Sequence, residues 1–320
     1  MPSLNRRRFA ALLACPALTG IVPSAMGQSP LKLIVPFAAG SAPDTIARLV
    51  GERIGPALDT TVVVENLAGA GGAIGVDRVA KAAPDGQTLV LSGDAALVIP
   101  DAAGTRPYDP LKDLTPISQL VLTPNLLVVN IEVPARTVEE LVALVRSRPG
   151  RYSYASAGNG TSSHRAGELM NKMAGLDMVH VPYSKSPLPD VIAGHVQVFF
   201  ANVANTLPLL REGKLRALAV SSLERLPLVP ELPTLAESGL PGFEAVAWFG
   251  LLAPAGTPRP LVARLQAAAQ ATLNEPALRS KLQSLGVVPL GGSSAEFARL
   301  LEAETRKLAA MAEAKAAVPR

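Results

Sequence analysis

Leu31-Lys32-Leu33-Ile34-Val35-Pro36-Phe37 runs directly into Ala38-Ala39-Gly40-Ser41-Ala42-Pro43-Asp44, and this junction decides the fold. The first seven residues read as a short buried strand. The next seven read as a turn that delivers the chain into a helix over about 43–54, with Ile46, Leu49, Val50 and Ile54 on one face. Thr61-Val62-Val63-Val64-Glu65-Asn66 is a second, β-branched strand. A helix over 73–82 stops at Pro84-Asp85-Gly86, and Thr88-Leu89-Val90-Leu91-Ser92 is a third strand. The alternation β–α–β–α–β is the pattern of a parallel sheet covered by helices.

Further along, the alternation resumes with new spacing. Strands are expected at 126–129, 152–156, 179–183, 196–200 and 215–220. Thr137-Val138-Glu139-Glu140 is a capping box, Thr137 capping and Glu140 reaching back, that opens a helix ending near Pro149-Gly150. Another helix runs from Thr161 or Ser162 to Met173, and a short one ends at Ala193. Thr257 and Pro258 cap and start a helix to about Leu273, and a second capping box, Ser293-Ser294-Ala295-Glu296, opens the last helix. The chain is too long for one typical core. The expected fold is therefore α/β with two lobes, each a mostly parallel sheet flanked by helices. One lobe is assigned residues 28–126 and 249–320, the other 127–248.

The N-terminus carries an address. Arg6-Arg7-Arg8-Phe9 precedes an uncharged stretch over 9–22, and Ala25-Met26-Gly27 supplies small residues at signal-peptidase spacing. Residues 1–27 read as a cleaved twin-arginine export signal. Pro16, Gly20 and Pro23 interrupt the run, and a membrane anchor needs about 20 continuous apolar residues. The single cysteine, Cys15, falls inside this segment, so the processed chain is expected to have no disulfide, thiol chemistry or Cys-based metal site. A lipoprotein cleavage at Cys15 is the minor alternative. Removing 1–27 leaves 27 Lys and Arg against 26 Asp and Glu. That balance argues against nucleic acid as partner.

Open parallel sheets bind ligands beyond the carboxyl ends of their strands, so the strand-to-helix loops hold the candidate site. The first contains Phe37, Ala39, Gly40, Ser41 and Asp44. The second, with Ser156, Gly158, Asn159, Gly160, Thr161 and Ser162, repeats the design in the other lobe with more hydroxyls. A helix N-terminus with free N–H groups attracts anions. Two of them, one per lobe, can converge on a carboxylate; ordinary capping is the alternative for each, and above all for Asp44. Pro182-Tyr183 ends a strand, and Tyr183 with Ser184 borders the expected cleft. Phe37 and Trp248 are the other aromatic candidates. Gly69-Ala70-Gly71-Gly72-Ala73-Ile74-Gly75, with Asp94 after it, imitates a dinucleotide fingerprint, but its third glycine is displaced by Ile74. His164, His180 and His195 lack metal spacing. A hydrolase built on Ser156 and His164 is a weaker alternative, without a visible acidic partner.

The chain resembles the substrate-binding proteins of tripartite tricarboxylate transporters, the Bug family. The resemblance runs through Val35-Pro36-Phe37 with Gly40, Asp44 and Ala47-Arg48, the 69–75 glycines, and above all 154–164, Tyr-Ala-Ser-Ala-Gly-Asn-Gly-Thr-Ser-Ser-His. It continues through His180-Val181-Pro182-Tyr183, residues 213–220, Pro233-Thr234 and 248–258. It implies a type II-like Venus-flytrap periplasmic binding protein that closes on a small di- or tricarboxylate and delivers it to a membrane permease. A monomer without catalysis, cofactor or metal is expected; a ligand sensor for a signalling partner is the alternative. Three departures stand out: Ser41 where the family often has a second glycine, a shorter segment over 184–190, and Ala201 where Asp is common.

Overall fold

The computed structural model describes residues 30–99, 106–183 and 185–316. Residues 1–27, read above as an export signal, and Ser184 lie outside the described residues. The first lobe opens with β1 (Leu31–Val35), α1 (Ala42–Ala57), β2 (Val62–Asn66), α2 (Ala73–Ala80), β3 (Thr88–Gly93), α3 (Asp94–Leu97) and β4 (Leu114–Thr123). The second contains β5 (Asn125–Asn130), α4 (Val138–Arg146), β6 (Ser153–Ser156), α5 (Ser162–Ala174), β7 (Val179–Pro182), α6 (Leu188–Ile192), β8 (Val198–Asn202), α7 (Val203–Arg211) and β9 (Leu215–Val220). The chain then returns through β10 (Ala247–Pro254), α8 (Arg259–Asn274), α9 (Pro276–Ser284), β11 (Val288–Pro289) and α10 (Ser294–Ala316).

Both sheets follow one plan. The first is ordered β11-β4-β10-β3-β1-β2 and the second β7-β6-β8-β5-β9. In each, the βαβ strands run parallel, and the strand arriving from the other lobe (β10 or β5) is inserted antiparallel between the third and fourth strands. The sheets are therefore mixed rather than mostly parallel. A βαβ strand ends at the cleft edge, whereas a strand arriving from the other lobe starts there and must run away from it. The chain passes from the first sheet to the second between Thr123 and Asn125 and returns between Val220 and Ala247.

Both faces of each sheet are covered, which explains the near-continuous apolar strands. Leu33 and Val35 pack under α1 and α8, while Ile34 and Val90 pack against Val76, Val79 and Phe297 on the opposite face. In the second lobe Leu127 and Val129 face one cluster, and Leu126 and Val128 the other. Truncating one such residue to Ala costs about 2–5 kcal/mol.

Local signals hold with small shifts. The Ser293 hydroxyl accepts from the Glu296 amide at 3.2 Å, and Glu296 accepts from the Ser293 amide at 2.8 Å, closing the expected capping box. Thr137 caps α4, but Glu140 reaches past it to the Arg136 amide at 2.6 Å. α8 starts at Arg259, one residue later than expected, with Pro258 at the cap position. The 69–75 loop packs on β1: a Cβ on Gly75 would lie 2.8 Å from both Pro36 Cβ and the Leu67 carbonyl oxygen.

Candidate ligand cleft

The first loop is braced by charge. Gly40, at φ +77°, takes a left-handed conformation that suits glycine. This turns its amide onto an Asp44 carboxylate oxygen at 2.8 Å. Asp44 also accepts from Arg48 Nε at 3.1 Å and Asn66 Nδ2 at 2.9 Å. Asn66 Nδ2 in turn donates to the Phe37 carbonyl at 3.2 Å. Burial opposes ionisation of Asp44, but the hydrogen bonds from Arg48, Gly40 and Asn66 outweigh it and hold its carboxyl below the ordinary value. Asp44 is 3% exposed, so it organises its own loop instead of facing a ligand. Ser41 sits at the cap position of α1, yet its hydroxyl donates to the Ala38 carbonyl at 2.6 Å, leaving the helix amides uncapped by a side chain.

The second loop is braced mostly by neutral groups, with Arg165 Nη1 donating to the Gly160 carbonyl at 2.9 Å as its charged contact. Gly158 and Gly160 have φ of +116° and +77°. Thr161 caps α5 and donates from its hydroxyl to the Gly158 carbonyl at 2.7 Å. The Ser163 hydroxyl accepts from the Ala157 amide at 3.0 Å, and His164 Nδ1 accepts from the Gly160 amide at 3.0 Å, so that ring nitrogen carries no proton. Ser156 is fully buried beneath the loop, where its hydroxyl meets His180 Nε2 at 2.7 Å and accepts from the Gly158 amide at 3.1 Å. His164, the base of the hydrolase alternative, instead stacks on His180 at 4.1 Å between ring centres. Burial, helped by His164, holds the His180 imidazole below its ordinary pKa.

Between the lobes lies a cavity of ≈ 570 Å³. Three helix N-termini reach it: α1 through Pro43, α5 through Ser162 and Ser163, and α7 through Asn202 and Asn205. The Ser162 and Ser163 amides find no acceptor among the described residues. Asn202 caps α7 by accepting from the Ala204 amide at 3.1 Å. Phe37 and Phe249 form an edge-to-face pair at 6.0 Å on the first lobe's wall, and Phe199 and Leu188 belong to the second lobe's. At the crossings, Asn125 Nδ2 donates to the Ser162 hydroxyl at 3.2 Å and to the Ala245 carbonyl at 3.3 Å, wiring a cavity hydroxyl to the return strand. Among the lining residues only Asp94 and Lys185 are ionisable. Asp94 is buried and paired with Arg165. Burial pushes its carboxyl above the ordinary value, and Arg165 opposes this.

Of the expected site residues, Phe37, Thr161 and Ser162 line this cavity. Ala39, Gly40 and Ser41 belong to the first loop but not to the lining, and Gly158, Asn159 and Gly160 shape the second loop. Tyr183 is not among the lining residues, and its hydroxyl donates to Asp190 at 2.7 Å. Trp248 fills the core edge-to-face against Phe297 at 5.5 Å, and its neighbour Phe249 takes the cavity wall, because successive strand residues face opposite sides. Sequence reasoning missed Asn125, Asn202 and Asn205, while Lys185 falls in the 184–190 segment already noted as a departure at the cleft border. Asn202 carried a legible signal, an Asn after a strand at a helix start; Asn125 acts through the crossing and has no local signature.

With this geometry established, comparison with known proteins is informative. Residues 46–316 match the family described as "Tripartite tricarboxylate transporter family receptor". The UPF0065 protein of the tcbD-tcbE intergenic region of Pseudomonas sp. (strain P51) is 36% identical over 314 residues, 96% of this chain and 94% of its own. Rpa4515 of R. palustris, solved with adipate, is 33% identical with a TM-score of 0.76, covering 89% of this chain and 96% of its own. MatC (Rpa3494) from Rhodopseudomonas palustris, solved with bound malate, is 36% identical with a TM-score of 0.71, over 87% and 97%. The periplasmic binding protein BugD is 34% identical with a TM-score of 0.71, over 88% and 96%.

Proposed function

The chain belongs to the tripartite tricarboxylate transporter receptor family, and we propose that it captures a small carboxylate between its lobes in the periplasm and delivers it to a membrane permease without chemical change. The observation carrying this reading is the convergence of the α1, α5 and α7 N-termini on one cavity, with the Ser162 and Ser163 amides free to donate. The structures of Rpa4515 with adipate and MatC with malate support a carboxylate as the anion. Export rests on the twin-arginine segment, and the periplasmic setting of BugD agrees with it. A ligand that touches both lobes only when they close shifts the population toward the closed form.

Within this class an acid lacking an amine is favoured. The one carboxylate in the lining, Asp94, is already matched by Arg165, which leaves no unpaired acid among the lining residues to offset a ligand ammonium. Thermal shift of the chain from Gln28 onward tests both statements, with succinate, malate, adipate, citrate, aspartate and the corresponding amides. A ligand at about 100 times its dissociation constant adds roughly 2.7 kcal/mol. A rise with an acid and not its amide is expected; tighter binding of aspartate than of any simple dicarboxylate overturns the ammonium argument, and no rise with any acid, from protein verified empty by mass spectrometry, overturns the receptor reading.

A further inference from the structure

We propose that Arg165 is the positioning residue that couples ligand loop to lobe closure, a latch that fastens the second lobe's anion loop to the first lobe and to the returning crossing. Arg165 lies in the first turn of α5. Its Nη1 donates to the Gly160 carbonyl at 2.9 Å, in the loop whose amides face the cavity. Its Nη2 donates to the Asp94 carboxylate, which belongs to the first lobe, and to the Val246 carbonyl at 3.3 Å, on the return crossing. These acceptors sit on the second lobe's own loop, the first lobe and the return crossing, and one guanidinium holds all three.

Asp94 is suited to receive it. It opens α3 at the end of β3, is 4% exposed, and its other oxygen accepts from the Ala95 amide at 2.9 Å, so the carboxylate is fixed to the sheet. The lobes also touch beside the pair, since a Cβ on Gly160 would lie 3.2 Å from Ile99 Cγ2. Asp94 lines the interlobe cavity, while Arg165 lines a second cavity of ≈ 320 Å³ bounded by Val246, Trp248 and Leu300. The ion pair therefore forms part of the partition between the two spaces, and parting the lobes gives both charges water. A buried pair contributes little net stability over an uncharged replacement, but removing one partner strands the other. Single substitutions should therefore disturb the closed form more than the double one. This inference rests on the receptor reading for its purpose, but its test does not need a ligand.

The chain from Gln28 contains no cysteine, so spin labels at Lys112→Cys and Lys214→Cys, exposed positions on different lobes, report the distance between them. Pulsed dipolar spectroscopy compares the labelled parent with R165Q, D94N and the D94N/R165Q double variant. The latch predicts longer distances in each single variant, and a double variant no more open than the worse single one. Titration with adipate and malate adds at least tenfold weaker binding for R165Q, mostly through faster release. A distance distribution unchanged in both R165Q and D94N overturns the proposal. Failure of the labelled parent to bind any acid of the panel counts against the receptor reading alone, because the distances still judge the latch. If either single variant does not fold, Arg165→Lys, which keeps the charge but not the fork that reaches three acceptors, carries the test: it must open relative to the parent.

Discussion

The two strand-to-helix loops begin from nearly the same design and are held in opposite ways. Residues 37–44 are fixed by a buried charge, Asp44, that gathers Gly40, Arg48 and Asn66. Residues 156–163 are fixed from within by uncharged groups, Ser156 on His180, Thr161 on Gly158, Ser163 on Ala157 and His164 on Gly160, and their one charged contact, Arg165 on the Gly160 carbonyl, is a cation. The difference matters for an anion site. A carboxylate kept within its own hydrogen bonds adds little repulsion to a ligand only if it is neutralised and turned inward, as Asp44 is. The second loop avoids the problem, and it brings Thr161, Ser162 and Ser163 to the cavity where the first brings Phe37 and Pro43. The second loop is therefore expected to offer the stronger anion contact.

Substitution sharpens the contrast. Asp44→Ala strips three donors of a buried acceptor and should cost about 2–4 kcal/mol of folding stability in urea titration. A cost well under 1 kcal/mol would break the claim that charge holds the first loop. Ser156→Ala leaves His180 and the Gly158 amide without their partner, and the expected loss is about 1–3 kcal/mol. A hydrolase nucleophile at this buried position would instead show a loss of turnover with unchanged stability. Gly160→Ala and Gly40→Ala test the glycines at identical φ of +77°. Both carry the left-handed penalty of about 1–2 kcal/mol. Gly160→Ala should cost more, because its Cβ meets Ile99 at 3.2 Å while that of Gly40 meets nothing within 4 Å. Equal melting temperatures for the two would remove the contact between lobes from the account.

The smallest effect is a pH dependence, and it separates the loops by sign and window. Asp44 is held below its ordinary value, so its contribution is complete above the unfolded carboxylate range and is lost only as pH falls through its lowered folded pKa, below 3.8. His180 is also lowered, here because burial and His164 disfavour the imidazolium. The unfolded chain takes up that proton first, so stability declines as pH falls below about 6.5. Between pH 7.5 and 5 the decline should belong to the second loop and be reduced in His180→Gln, while Asp44→Asn leaves it in place. Melting curves across this range check the assignment; an identical decline in His180→Gln contradicts it.

Much of this was legible in the sequence because it is local. β1 and β2 announce themselves by β-branched runs, and Thr137 and Ser293 by their caps. The long strand β4, next to the sheet edge, was not. Pro116 lies within it, and register shifts opposite Phe249 and Leu251 break the alternation that marks a strand. α7 was hidden by Pro208. The inserted strands β5 and β10 made the sheets mixed, and no local pattern encodes which sheet a strand joins. At the site, the loops were found by their glycines and hydroxyls. Asn125 and the Arg165–Asp94 pair depend on how segments distant in sequence are brought together.

The most direct test of the central claim is calorimetric titration of the chain from Gln28 with adipate and with adipamide. Capture of a carboxylate in a half-apolar cleft predicts binding of one acid per chain, a negative heat-capacity change from buried apolar surface, and no heat from the amide. Equal binding of acid and amide would mean that the helix N-termini do not read the anion, and would contradict the account.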